Sequence, residues 1–156
     1  MEMTDLLLAV LALVVGVALA WRAGPVARVV LFGSAMLVSG LLFMPGEQIV
    51  GVVGPDGVRV LRGLAGRTPW DVSDWTHFLI FVWLGLLLWL ARADLRGWKG
   101  WALVVVLAIA AELAQGLAPS REPRMDDVLV NLAGGMLGVV LGIAVRWVAG
   151  LRHEQG

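Results

Sequence analysis

The sequence predicts an all-α integral membrane protein, a bundle of five transmembrane helices, on three observations. Of 156 residues, 60% are hydrophobic and 15% charged, with a mean hydropathy of +0.87; a soluble domain usually holds about 45–50% apolar and about 25% charged residues. Five apolar segments stand apart along the chain, each close to the roughly 20 residues that cross about 30 Å of hydrocarbon. None alternates apolar and polar residues as a barrel strand does, so each must satisfy its backbone within itself, as a helix does. Twelve basic and twelve acidic residues cancel, which speaks against nucleic acid as a partner. With no cysteine in the chain, disulfides, thiol nucleophiles and thiolate metal sites are excluded.

The first segment, Leu6–Trp21, follows Glu2 and Asp5. A signal peptide would carry a basic region there, so residues 1–25 are read as a retained extra N-terminal helix that enters from outside. The second, Val26–Met44, leads into the one long connection, Pro45–Thr76. There "IVGVVGPDGVRVLRGL" places two β-branched runs around Pro55, Asp56 and Gly57, the pattern of a short outer hairpin or an interfacial segment. The third, fourth and fifth segments are His77–Ala91, Trp101–Ala118 and Asp127–Ala149, leaving 150–156 as a tail. With the N-terminus outside, Arg22, Arg28, Arg92, Arg96, Lys99, Arg146 and Arg152 all fall in the cytoplasm, as the positive-inside rule requires. The C-terminus is then cytoplasmic. Small residues recur four apart at Ala12, Gly16 and Ala20, and again at Gly134, Gly138 and Gly142. Such stripes let helix backbones approach closely, within one bundle or between two chains of a homo-oligomer.

Polar residues inside these spans are costly, about 2.5–3.5 kcal/mol for a central carboxylate. Glu112 lies in "VVVLAIAAELAQGL", with Gln115 on the same face three residues on. Asp127 begins the fifth segment and Asn131 lies one turn deeper, while Asp126 is the better placed of the two aspartates to cap that helix. His77 opens the third segment, and Arg121 lies in the turn between the fourth and fifth. All are at outer-leaflet depth. The bland alternative is a set of interhelical polar contacts, worth about 1 kcal/mol each.

Residues 111–138, "AELAQGLAPSREPRMDDVLVNLAGGMLG", resemble the signature of VanZ-like membrane proteins. That signature is Glu-x-x-Gln on one helix, an arginine in the following loop, then Asp, Asn and Gly at fixed steps. Glu112, Gln115, Arg121, Asp127, Asn131 and Gly134 match it, and "HFLIFVWLGLLL" from His77 resembles the family's histidine-led helix. Before His77 the register departs from the family, with Ser73 at the position of its aspartate, and Asp74 is given no role. The resemblance covers about residues 26–146 of a main transmembrane domain read as 26–149. It implies a multi-pass protein of the bacterial cytoplasmic membrane, linked to reduced susceptibility to teicoplanin, a lipid-tailed glycopeptide that binds cell-wall precursors.

The resemblance supplies no reaction, so the residues bound the chemistry. As a binding or accessory protein, the chain would meet an anionic lipid, a lipid-linked cell-wall precursor or a lipoglycopeptide. Arg121 would offer a planar fork to phosphate or carboxylate, and His77, Glu112, Gln115, Asp127 and Asn131 would line the site. As a membrane enzyme acting on a lipid head group, it would use Glu112 as acid or base and Arg121 against developing negative charge. A proton-coupled carrier is the weaker reading, because no inward polar path and no inverted repeat accompany Glu112. One histidine with two carboxylates does not make a metal site, and no cofactor is expected.

Overall fold

The computed structural model describes residues 3–43, 46–117 and 124–153. Six α-helices follow in order: α1 Met3–Ala20, α2 Pro25–Phe43, α3 Gly46–Ala65, α4 Val72–Ala91, α5 Trp98–Gln115 and α6 Met125–His153. A 3-10 turn at Ala93–Leu95 joins α4 to α5, and there is no strand among the described residues. α4, α5 and the stretch Met125–Gly150 of α6 are long and apolar enough to cross a membrane, whereas α1 and α2 hold shorter apolar stretches, Leu6–Ala20 and Pro25–Gly40.

The expected hairpin is a helix. Gly54 adopts φ +75° and ψ 164° and breaks α3 there, in a region of backbone space that is essentially reserved for glycine. Pro55 then restarts the helix, since a proline in the first turn lacks only an N–H that would have no partner anyway. Asp56 and Gly57, which suggest a turn, are thus the first turn of the second half, where Asp56 pairs with Arg59 at 3.0 Å. Val58 and Leu61 are buried, and Gly57, Leu64 and Ala65 partly so. That is a helical period, and it lays one face of α3 against α4.

α4 starts a turn and a half before His77. Asp71 and Asp74 form a reciprocal capping box, each carboxylate accepting the other's backbone N–H at 2.9 Å, which satisfies two amides that the helix leaves without partners. α6 likewise begins at Met125, so Asp126 lies within its first turn and not at the cap.

α4 is the centre of the bundle, packed against α6 most closely and against α2, α3 and α5 as well. Its buried Ile80, Phe81 and Leu84 form one apolar cluster with Val38 of α2 and Ala108 of α5. Leu88 joins Leu19, Ala20, Ala23, Leu31 and Ala35 in a second cluster that ties in α1 and α2. The opposite faces remain apolar: Val10 and Val14 of α1, Leu79 and Trp83 of α4, Ile109 and Leu113 of α5, and Val140 and Ile143 of α6 are all exposed. Apolar residues on both the packed and the outward faces are what a hydrocarbon solvent permits.

The α4–α6 seam is built on glycine. A Cβ on Gly134 would lie 2.3 Å from the Phe78 carbonyl oxygen, and one on Gly138 would lie 2.1 Å from that of Val82. From the other side, a Cβ on Gly85 would meet the Gly135 carbonyl oxygen at 2.2 Å. A Cβ on Gly142 would lie 2.8 Å from the Trp89 side chain, so the stripe on α6 packs within the bundle along its whole length. Gly16 in the α1 stripe faces Phe32 and Met36 of α2.

Candidate functional site

The start of α4, the end of α5 and the start of α6 meet at one end of the bundle, and there three buried polar side chains form a chain. His77 Nδ1 lies 3.2 Å from Asn131 Oδ1, and Gln115 Nε2 lies 3.4 Å from His77 Nε2. Taken together the two contacts fix a tautomer: Nδ1–H donates to the Asn131 carbonyl, and Nε2 accepts from the Gln115 amide. The three residues come from three helices and are 0–4% exposed.

Each is placed by its own helix. His77 lies one turn above Phe81, on the face of α4 that points into the core. Asn131 stands one turn above Gly134 on the glycine face of α6, so the close approach that Gly134 allows also brings Asn131 to His77. Gln115 ends α5 at 2% exposure.

Glu112, one turn below Gln115 on α5 and 4% exposed, takes a different partner from those that its sequence context offers. Its Oε1 accepts the backbone N–H of Arg124 at 2.6 Å, the residue that directly precedes α6. A carboxylate at a helix N-terminus is favourably placed in the helix dipole, and a charge-assisted bond to a backbone N–H is strong. Glu112 therefore joins α5 to the start of α6.

Two polar atoms of this region are buried without any hydrogen bond among the described residues: Glu112 Oε2 and Asn131 Nδ2. One is an acceptor and the other a donor. Leaving each unsatisfied costs about 1–3 kcal/mol, more for the charged group, so this end of the bundle carries two unmet polar atoms.

Asp127 is half-buried in the first turn of α6, and its backbone N–H bonds the Arg124 carbonyl at 3.1 Å. Its carboxylate makes no hydrogen bond or ion pair among the described residues and does not join the chain. Arg121 lies outside the described residues. Among those described, no three His, Asp or Glu side chains gather as metal ligands would.

Beside the polar chain runs an apolar cavity of about 90 Å³ between α1, α2, α4 and α5. It is lined by residues such as Ala12, Ala35, Phe81 and Ala111, and by Ala114 beside Gln115.

Two arginines carry more than their place in a charge count suggests. One is Arg124, through its main-chain bond to Glu112. The other is Arg92, at the opposite end of the bundle, which is 6% exposed. Its guanidinium donates to both Asp94 oxygens at 2.8 and 2.9 Å, to the Ala18 carbonyl at 3.3 Å and to that of Leu19. It thus closes the C-terminal end of α1 onto the turn between α4 and α5. The Arg92 hydrogen bonds lower the Asp94 carboxyl to about 2, against the opposing effect of burial. Sequence alone offers a weak signal for this role, an arginine directly after an apolar span with an aspartate two residues on.

A family model described as VanZ/LLP1 matches residues 34–146, from the middle of α2 into α6. No curated relative and no solved structure matches the chain.

Proposed function

Since the chain belongs to the VanZ/LLP1 family, and is a membrane protein by its apolar helices, we propose that it binds the polar head of a membrane lipid at the end where α4, α5 and α6 meet. Its ligand is an anionic lipid, a lipid-linked cell-wall precursor or a lipoglycopeptide such as teicoplanin. The observation that carries this reading is the pair of buried atoms of opposite kind, Glu112 Oε2 and Asn131 Nδ2. A ligand hydroxyl suits either atom, because it accepts from an amide and donates to a carboxylate. Sugar and glycerol heads carry such hydroxyls. The small-residue cavity beside Ala114 suits the upper part of an apolar chain, and Arg121 is assigned to the head's phosphate or carboxylate.

In this reading α1 and α2 complete five spans. Helices of 18 and 19 residues extend about 27–28 Å at 1.5 Å per residue, close to the thickness of the hydrocarbon. The binding end faces outward, with the N-terminus outside and the C-terminus in the cytoplasm, because Arg22, Arg28, Arg92, Arg96 and Lys99 cluster at the other end.

Glu112 supports a second reading, an enzyme acting on the lipid head with its free oxygen as acid or base. Glu112→Gln addresses both. It keeps the size and one carbonyl acceptor for the Arg124 N–H, so the fold is retained. Teicoplanin susceptibility is measured in a sensitive host carrying empty vector, wild type or Glu112→Gln at matched membrane levels, alongside native mass spectrometry of lipids retained by each purified protein. Protection and a retained lipid with wild type, both lost in the variant, are expected. Equal protection and equal lipid retention by the variant would remove Glu112 from the site.

A further inference from the structure

On the outer side of the same end, α4 and α6 enclose an open groove of about 530 Å³ that the buried polar chain does not reach. Its polar lining is Asp74, Arg124 and Asp126, with Trp70 just ahead of α4 and Leu129 and Ala133 running down α6. Trp70 is held in place by Trp75 and Phe78, at ring separations of 5.1 and 5.3 Å. The groove begins where two candidate membrane spans begin, so its charged end lies at the depth of lipid head groups and its apolar end at the depth of the acyl chains.

The charges in it are only loosely engaged. The Arg124 guanidinium and the Asp126 carboxylate are 4.0 Å apart and mostly exposed, beyond hydrogen-bond distance, and neither side chain makes a hydrogen bond among the described residues. Asp74 gives one oxygen to the Asp71 N–H, which leaves the other oxygen available. Among the described residues, one cation stands with two carboxylates and an indole. A purely anionic head would find its phosphate on Arg124 but would be repelled by the two aspartates.

We propose that this groove is a binding site for a zwitterionic aminophospholipid, phosphatidylethanolamine in its simplest form. The phosphate is held by the Arg124 fork. The ammonium, which has three N–H donors, lies between Asp74 and Asp126 beside the Trp70 ring, and Leu129 and Ala133 carry the first part of an acyl chain. A choline head has the same charges but no N–H to donate, so it binds less well. This site uses the Arg124 side chain and not its main-chain bond to Glu112, and it stands or falls independently of the Glu112 reading.

Native mass spectrometry of the full chain in detergent tests this with equimolar palmitoyl-oleoyl phosphatidylethanolamine, phosphatidylcholine and phosphatidylglycerol as competitors. An exposed charge pair contributes a factor of about 1.5–5, so two carboxylates predict an ethanolamine preference over glycerol of about 2- to 25-fold. The double variant Asp74→Asn and Asp126→Asn retains an acceptor for the α4 cap and is expected to lose that preference. Arg124→Gln keeps its backbone N–H to Glu112 and is expected to weaken binding of all three phosphatides. A wild-type preference for phosphatidylglycerol, equal binding of choline and ethanolamine heads, or an ethanolamine preference that survives the double variant would each overturn the proposal. Far-ultraviolet circular dichroism confirms that the variants remain folded.

Discussion

Replacing Gly134 with alanine probes the step in the fold that the candidate site depends on most. An added Cβ would lie 2.3 Å from the Phe78 carbonyl oxygen and 3.1 Å from its carbon, where ordinary contact begins near 3.4 Å. Both are backbone atoms in the middle of helices, so no side chain can swing away. α4 and α6 must separate by roughly 1 Å, an overpacking that costs about 1–3 kcal/mol or more. Alanine recovers about 0.8–1 kcal/mol through helix propensity, leaving a net loss of up to about 2 kcal/mol. For a chain of this length that lowers Tm by up to about 8 °C. The same separation pulls Asn131, one turn away, from His77, whose contact is already 3.2 Å. Lipid retention should therefore fall together with Tm. Gly33→Ala is the control, because nothing lies within 4 Å of its Cβ position, and it should be neutral or stabilising by up to about 1 kcal/mol. Melting of the detergent-solubilised proteins by intrinsic tryptophan fluorescence decides the matter. If Gly134→Ala melts no lower than Gly33→Ala, the α4–α6 seam is not packed as described, and the link from seam to site fails with it.

Arg92→Ala should destabilise the fold by about 2 kcal/mol or more, because hydrogen bonds to a charged group contribute about 1.5–3 kcal/mol and the α1 carbonyls lose their donor. Arg92→Lys should recover only part of this, since an ammonium cannot reproduce the two-pronged contact with Asp94; chemical denaturation of the three proteins gives the order. Asp94 sets a pH dependence: its carboxyl titrates at about 2 in the folded chain against 3.8 ordinarily, so its contribution is complete above about pH 4 and is lost as pH falls through about 2. Thermal melts from pH 5 to pH 2 should show a shallower acid loss in Asp94→Asn than in wild type, and parallel curves would refute the coupling.

How much of this was legible in the sequence depends on whether a feature is local. Long apolar runs locate α1, α2, α4, α5 and α6, because lipid leaves a chain no other way to satisfy its backbone. Of the two readings of the long connection, the hairpin fails because Pro55, Asp56 and Gly57 are as much helix-start residues as turn residues. Which they become depends on Gly54, whose positive φ no periodicity reveals. The burial pattern of Val58, Leu61 and Leu64 was nonetheless present in the sequence at helical spacing. The glycine stripe on α6 announces a close contact but not its partner, since Phe78 and Val82 offer carbonyl oxygens, which every residue has. Glu112 marks itself as costly, yet its actual partner is a backbone N–H, which no side-chain pattern encodes. Arg92 and Arg96 look alike in the chain; only the first is within reach of the α1 C-terminus.

The glycine seam and the polar chain therefore belong to one arrangement. Glycine on α6 lets its backbone touch that of α4, and this keeps bulk water from the space in which His77 meets Asn131, both 0–4% exposed. In that dry space a hydrogen bond is stronger and an unmet polar atom costs more than either would at a surface. His77 answers Asn131 Oδ1, and Arg124 answers Glu112 Oε1, so what is left over is one donor and one acceptor that the protein's own packing has isolated. Replacing Asn131 with leucine would remove the donor but strip His77 Nδ1 of its acceptor, trading one unmet atom for another. On the proposed reading a ligand hydroxyl meets these atoms without such a trade, since it accepts from an amide and donates to a carboxylate.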